Sequence, residues 1–231
     1  MPSIDPWSAV RLSLVAGAWA TVLGTPVALA LGWLLARTRF PGKAIVSTLT
    51  LVPLVLPPVV TGVLLLRLFG TKGPLGAPLE ALGVRVPFSM AGVVLAATVM
   101  ALPLYVLSVR AALTAVDPRY EEVSWTLGHG PCATFRRITL PLALPGLAAG
   151  AVLAFARALG EFGATAVLAG NIEGRTRTAP MAIYTLLEVP GREGAIGWLV
   201  GATLALALLT LVAYELLLHW QARRLEAHDL R

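Results

Sequence analysis

Arg157 and Glu161 stand four residues apart at the end of a long uncharged stretch. On a helix that spacing places both on one face, where they can pair. Ionisable groups near membrane depth mark either a functional site or a structural ion pair, and the spacing alone favours neither. A second cluster runs from Gly170 to Thr178, with Asn171, Arg175 and Arg177 among glycines and threonines. Guanidinium and hydroxyl groups of this kind can bind an oxyanion. Glu173 lowers the local positive potential, and the stretch reads more readily as a mouth loop or docking surface. The hydroxyls of Thr61, Ser89, Thr98, Ser108, Thr165 and Thr203 lie in or beside apolar runs. Each can line a polar path, or can donate to a carbonyl one turn back in its own helix.

The third feature is a polar connector, Asp117-Pro-Arg-Tyr-Glu-Glu-Val-Ser-Trp-Thr-Leu-Gly-His-Gly-Pro, continuing to Arg137. Asp117 can cap a helix and Pro118 suits its first position. Gly128 suits the left-handed residue that closes it. A helix over Pro118 to Leu127 is therefore expected, lying in the cytoplasm, with Tyr120, Val123 or Ser124, and Leu127 on one face. It either rests on the lipid surface or protrudes and docks into another protein. Gly130-Pro131 begins a further turn that leads to Arg136 and Arg137.

The elements that must carry these residues follow from composition. The chain has 231 residues, 57% of them hydrophobic and 13% charged, with a mean hydropathy of +0.80. A soluble domain carries about 25% charged residues, so water is not the main solvent, and disorder is excluded. One cysteine, Cys132, excludes a disulfide scaffold. The net charge of +6 would suggest nucleic acid in a soluble protein. In a membrane protein it reflects basic cytoplasmic loops, so no nucleic-acid partner is expected. About 20 apolar residues span the hydrocarbon core, and five uncharged runs qualify: 12–36, 44–66, 86–109, 138–156 and 194–214. Extended to their flanks, the expected spans are residues 10–36, 44–69, 87–112, 138–168 and 194–220 of a single domain. The piece Phe162 to Ile172 either extends the fourth span or is re-entrant, which leaves a sixth crossing open. The first run is too long, and lacks the preceding basic stretch, for a signal peptide.

Five crossings place the N-terminus outside and the C-terminus inside. Ten of the 18 basic residues then fall in the cytoplasm, namely Arg37, Arg39, Lys43, Arg110, Arg119, Arg136, Arg137, Arg223, Arg224 and Arg231. That is only a weak bias. Prolines at 53, 57, 58, 103, 141 and 145 predict bent helices. Gly146, Ala148, Ala149, Gly150, Ala151 and Ala154 make the fourth span a close-packing face. No Gly-x-x-x-x-Gly-Lys-Ser/Thr loop occurs, so ATP binding by that device is not expected. His129, His219 and His228 show no metal spacing, and Cys132 has no evident base, so neither a metal site nor catalysis by this chain is expected. The stretch after Tyr214 is short, and no regulatory extension is expected.

Glu121-Glu122-Val123, Gly128, Ile138, Leu140 and Pro141 resemble the EAA…G…I-LP element of ABC importer permeases. Val123 and Ser124 replace the usual alanines, and the pair Glu121-Glu122 leaves the motif's acid undecided. The resemblance implies an all-α type I importer permease fold in the inner membrane of a prokaryote. It also implies that these seven residues couple the chain to an ATPase. Phe40 to Lys43, Leu51 to Gly62, Gly160 to Thr165 and Ala169 to Thr178 are similar to molybdate and tungstate permeases, and the likeness runs from about Trp7 to Ala222. Sulfate and thiosulfate permeases share part of it and are the alternative; a self-sufficient channel or secondary transporter is a more distant one. The implied partners are a second copy of the chain, two cytoplasmic ATPase subunits that bind the ATP, an extracytoplasmic oxyanion-binding protein and membrane lipid. Thr61, Arg157, Glu161, Thr165, Asn171 and Arg175 are the candidates for the path or its outer mouth.

Overall fold

Asp5 accepts a hydrogen bond from the Trp7 N–H at 3.0 Å, and Pro6 takes the next position, so cap and fixed φ start a helix together. A computed structural model describes residues 5–229, and side chains as far as residue 220. The chain is built from α1 (Pro6–Arg37), α2 (Lys43–Val55), α3 (Pro58–Phe69), α4 (Gly76–Ala81), α5 (Met90–Thr114), α6 (Pro118–Thr126) and α7 (Pro131–Thr134). A π-helical turn, Phe135–Thr139, joins α7 to α8 (Leu140–Leu159); α9 (Gly163–Leu168), α10 (Ala179–Leu187) and α11 (Glu193–Asp229) follow. No strand occurs among the described residues. Among the described residues, four helices are long and apolar enough to cross a membrane: Pro6–Arg37, Met90–Thr114, Pro131–Leu159 and Glu193–Trp220.

The expected span over residues 44–69 is not one straight helix. It is α2 and α3, bent by 111° between them; counted together they bring the crossings to five. The residue before a proline is pushed out of the helical region. Leu56 precedes Pro57 and Pro57 precedes Pro58, so two consecutive residues are extended, at ψ 140° and 133°. Pro53, Pro103 and Pro145 stay inside their helices. A single proline removes one bond; the pair forces two residues out of line.

The expected span over residues 138–168 is also redrawn. The helix starts earlier, at Pro131, and ends at Leu159. Gly160 and Phe162 leave helical geometry, and α9 packs back against α3 and α5, which makes it a re-entrant piece. Leu140 and Pro141 therefore lie within a continuous helix and not at its entry. Proline removes a donor and its ring crowds the carbonyl four residues back. Here the Leu140 N–H reaches the Phe135 carbonyl, one residue wider than an α-turn, and the π-turn makes room for the ring.

Helices α1, α5 and α8 form the centre of the bundle. Their contact faces carry Ala28, Ala97, Ala101, Val109, Ala143 and Ala154. Small side chains let apolar helices approach without any hydrophobic drive between them. Gly146, Ala149 and Gly150 are buried on α8 as its composition suggests. At Gly32 of α1, an added Cβ would lie 2.4 Å from Val109 Cγ1 and 2.8 Å from Val109 Cβ. Gly32→Val is accordingly expected to cost about 1–3 kcal/mol by overpacking. A lowered thermal midpoint of the detergent-purified chain, with Gly201→Val as an open-space comparison at helical φ, measures it.

Helix α5 has 25 residues and is about 37 Å long, so α6 and Met90 lie on opposite sides of the membrane. With α6 inside, Asp5 is outside and Arg37 inside. The side chains of Arg223, Arg224 and His228, and residue Arg231, lie outside the described residues.

Candidate functional site

The elbow between α5 and α8, formed by α6 and α7, is built as a capped unit. Asp117 Oδ1 accepts from the Arg119 N–H at 2.9 Å. Gly128 closes α6 at φ +83°; its N–H donates to the Trp125 carbonyl at 3.0 Å, and the His129 N–H donates to the Ser124 carbonyl at 3.1 Å. Glycine is the residue that adopts this φ without strain.

The face expected over Tyr120, Val123 or Ser124, and Leu127 divides between the bundle and its exterior. Tyr120 packs on the core, but Val123 and Leu127 point away. The buried residues beside Tyr120 are polar. Ser124 and Thr134 share a buried hydroxyl–hydroxyl bond of 2.8 Å. Glu121 Oε1 lies 3.1 Å from Arg37 Nη2 and accepts from the Thr139 hydroxyl at 2.8 Å. Arg37 Nη2 also donates to the Val116 carbonyl at 3.0 Å. One carboxylate thus ties the end of α1, the α5–α6 connection, α6 and the π-turn into one joint. Both charged side chains are largely shielded from solvent, and a paired, hydrogen-bonded charge is the form in which burial is tolerated.

Val123 is 58% exposed and Leu127 72%, both turned away from the joint. Trp125, 50% exposed, lies on the other flank, where it lines a cavity with Glu121, Arg37 and Thr139. Glu122 is exposed beside Val123 and makes no ion pair among the described residues. The two adjacent glutamates therefore divide: Glu121 faces the bundle and Glu122 faces away. Ile138 and Leu140 are half-buried and Pro141 is exposed. Arg37 and Thr139 were not legible as members of this group. Arg37 reads only as a cytoplasmic basic residue after a span, and no spacing links it to the elbow.

At the other end of α8 the expected pair is present. Arg157 Nη1 donates to Glu161 Oε2 at 2.9 Å, and Glu161 is 2% exposed. Glu161 Oε1 accepts from the Ala164 N–H at 2.8 Å, so this carboxylate also fixes the start of α9. Thr165 donates to the Phe162 carbonyl at 2.8 Å and is spent there. Helices α3 and α9 meet through glycine: a Cβ at Gly62 would lie 2.9 Å from the Ala164 carbonyl, and one at Gly163 would lie 2.8 Å from Pro58 Cβ. Thr61 sits in this seam, 5% exposed, with a buried hydroxyl that has no partner. Thr98 and Thr203 donate to carbonyls of their own helices. Asn171 is elsewhere: it donates to Thr185 at 2.9 Å and accepts from Arg177 at 2.7 Å. Arg175 is apart from both, on the wall of an outer cavity.

The bundle, with its bent pair α2 and α3, its returning α9 and its capped elbow, has the fold of type I ABC importer permeases. Solved structures agree on the fold. An inward facing MetNI methionine ABC transporter matches at a TM-score of 0.60 and 20% identity, over 96% of this chain and 93% of that one. A bacterial ABC transporter involved in the import of the acidic polysaccharide alginate matches at 0.68 and 18%, over 94% and 78%. Residues 28–227 match the family described as binding-protein-dependent transport system inner membrane component, and the chain belongs to that family. It is 47% identical over 221 residues to the molybdenum transport system permease protein ModB of Escherichia coli K12, covering 95% of each chain. It is 41% identical to the ModB of Haemophilus influenzae over 220 residues, 95% of this chain and 94% of that one. Similarity to the sulfate transport system permease protein CysT of Salmonella typhimurium is lower, 33% over 221 residues, 96% of this chain and 79% of that one.

Proposed function

We propose that the chain imports a tetrahedral oxyanion, molybdate or tungstate, as one of two identical permease subunits. Two cytoplasmic ATPase subunits seat on the elbows, and an extracytoplasmic binding protein delivers the anion. The near full-length likeness to molybdenum permeases carries the choice of substrate, since the sulfate permease stands well below them. A dianion cannot cross hydrocarbon unaided, so a permease must offer it a polar path and admit it only in step with a motor.

The exposed Val123 and Leu127 support the ATPase as the occupant of the elbow. An apolar surface of this kind is stabilised by burial against a partner, and Glu122 beside it supplies a charge for orientation. The Glu121–Arg37–Thr139 joint then carries displacement of α6 to α1 and to the π-turn. On this reading Glu121 is internal to the lever, while Glu122, Val123 and Gly128 shape the contact. Glu161 and Arg157 hold the re-entrant α9, so they position the outer seam in which Thr61 lies.

Vesicles containing the assembled complex test the substrate. Uptake of labelled molybdate is expected to require ATP and loaded binding protein. Unlabelled tungstate should suppress it at far lower concentration than sulfate. Equal suppression by sulfate would transfer the assignment to the sulfate class.

A further inference from the structure

The eight basic residues outside the cytoplasmic set are Arg11, Arg67, Lys72, Arg85, Arg157, Arg175, Arg177 and Arg192. They run against the usual bias of membrane proteins, which keeps Lys and Arg on the cytoplasmic side. Three are neutralised locally: Arg157 by Glu161, Arg85 by Glu80 at 3.1 Å, and Arg177 by Glu173 at 3.4 Å. Of the rest, Arg67, Lys72 and Arg175 have no ion pair or side-chain hydrogen bond among the described residues. These three come from separate segments, the end of α3, the loop after it and the loop before α10. All three line one cavity of about 960 Å³. It opens between the end of α3 and the start of α5, on the side of the membrane opposite α6. Arg85 and Ser89 lie on the same wall, and Glu80 is its acidic residue.

The wall is built to a fixed shape. A Cβ at Gly73 would lie 2.5 Å from the Arg67 carbonyl and one at Gly76 would lie 1.9 Å from the Gly70 carbonyl. The turn that carries Lys72 therefore has room for glycine alone. Across the cavity Phe88 has φ 52°; it is the one non-glycine residue with positive φ among the described residues. Its N–H donates to the Leu168 carbonyl at 3.1 Å, and its ring lies against Gly170, where a Cβ would be 2.9 Å away. Strained backbone persists only where the surroundings over-determine it, and it clusters at binding sites. Here it pins the α5 entry to the re-entrant piece, which fixes this wall of the cavity.

We infer that this cavity is an extracytoplasmic collecting site for a free tetrahedral dianion, held by Arg67, Lys72 and Arg175. The inference rests on the oxyanion reading above and adds a place where the anion waits between delivery and the path. Unpaired cations around one cavity raise the local concentration of anions, more for a dianion than for chloride. The field falls off within about 8 Å at physiological salt, so the site holds its ion weakly and releases it onward.

The test uses the permease–ATPase complex without binding protein, in nanodiscs of zwitterionic lipid. Equilibrium dialysis against labelled tungstate at low ionic strength is expected to show saturable binding, displaced by molybdate and by sulfate but not by equal chloride. The triple variant Arg67→Gln, Lys72→Gln, Arg175→Gln should bind at least about tenfold more weakly, three charge-assisted contacts being removed. Arg11→Gln, an exposed outer cation away from the cavity, should bind normally. Binding equal in wild type and triple variant overturns the proposal. So does a triple variant that keeps tungstate but loses affinity for the binding protein, since the patch would then be a protein contact. Suppression of tungstate binding by phosphatidylglycerol in the nanodisc would assign the cavity to a lipid phosphate instead. Uptake that persists without any tungstate binding refutes the collecting site alone, whereas absent oxyanion uptake refutes the substrate assignment.

Discussion

Arg37→Met is expected to separate ATP hydrolysis from transport. Removing one partner of a shielded ion pair leaves the other uncompensated and costs about 3–5 kcal/mol. Here the orphan is Glu121, which retains only the Thr139 hydroxyl. The same change releases the Val116 carbonyl, which Arg37 also holds. Helix α6 keeps its own caps, Asp117 and Gly128, so the docking surface should survive while its tie to α1 is lost. In reconstituted vesicles, uptake should fall more than about tenfold while nucleotide hydrolysis by the complex continues. The double variant Arg37→Met, Glu121→Met replaces the pair with apolar groups and should regain stability without regaining uptake. Full recovery of uptake in the double variant would show that the pair is a structural brace only.

Gly128→Val is expected to have the second large effect, by a different route. An added Cβ meets nothing within 4 Å, so crowding is not the obstacle. The obstacle is φ +83°, a region that costs a residue other than glycine about 1–3 kcal/mol and a β-branched one most. Valine would open the turn that ends α6 and swing His129 and Pro131 away from the elbow. Uptake should fall more than hydrolysis or expression does. Gly128→Asn should lie closer to wild type, because asparagine tolerates the left-handed region. An equal loss of expression, hydrolysis and uptake in the valine variant would identify misfolding.

Much of this architecture could be read from the chain. Uncharged runs located the crossings because the hydrocarbon core rejects charge wherever it falls in sequence. The elbow was legible for a local reason: Asp117, Pro118 and Gly128 act through their own backbone geometry. Other parts were misread where a local rule met a tertiary condition. Residues 44–69 look like one span by hydropathy, and the paired prolines at 57 and 58 signalled a bend without its 111° size. Helical spacing put Tyr120, Val123 or Ser124, and Leu127 on one face of α6, but spacing does not say what that face meets. The bundle presents Arg37 and Thr139 there, so Glu121 and Ser124 turn inward and Val123 and Leu127 turn out.

The outer end shows the same division. Arg157 and Glu161 are one helical turn apart, and their pairing followed from spacing. Arg67, Lys72 and Arg175 share no segment and no period. Sequence by itself determined the set of apolar helices, their caps and their breaks, since dihedral preference and hydropathy act between near neighbours. Tertiary structure alone decided which charges on separate elements meet. Ions on separate helices come together only through the rotation and offset at which those helices pack, and small residues on α1, α5 and α8 set that packing without naming the polar partners it creates.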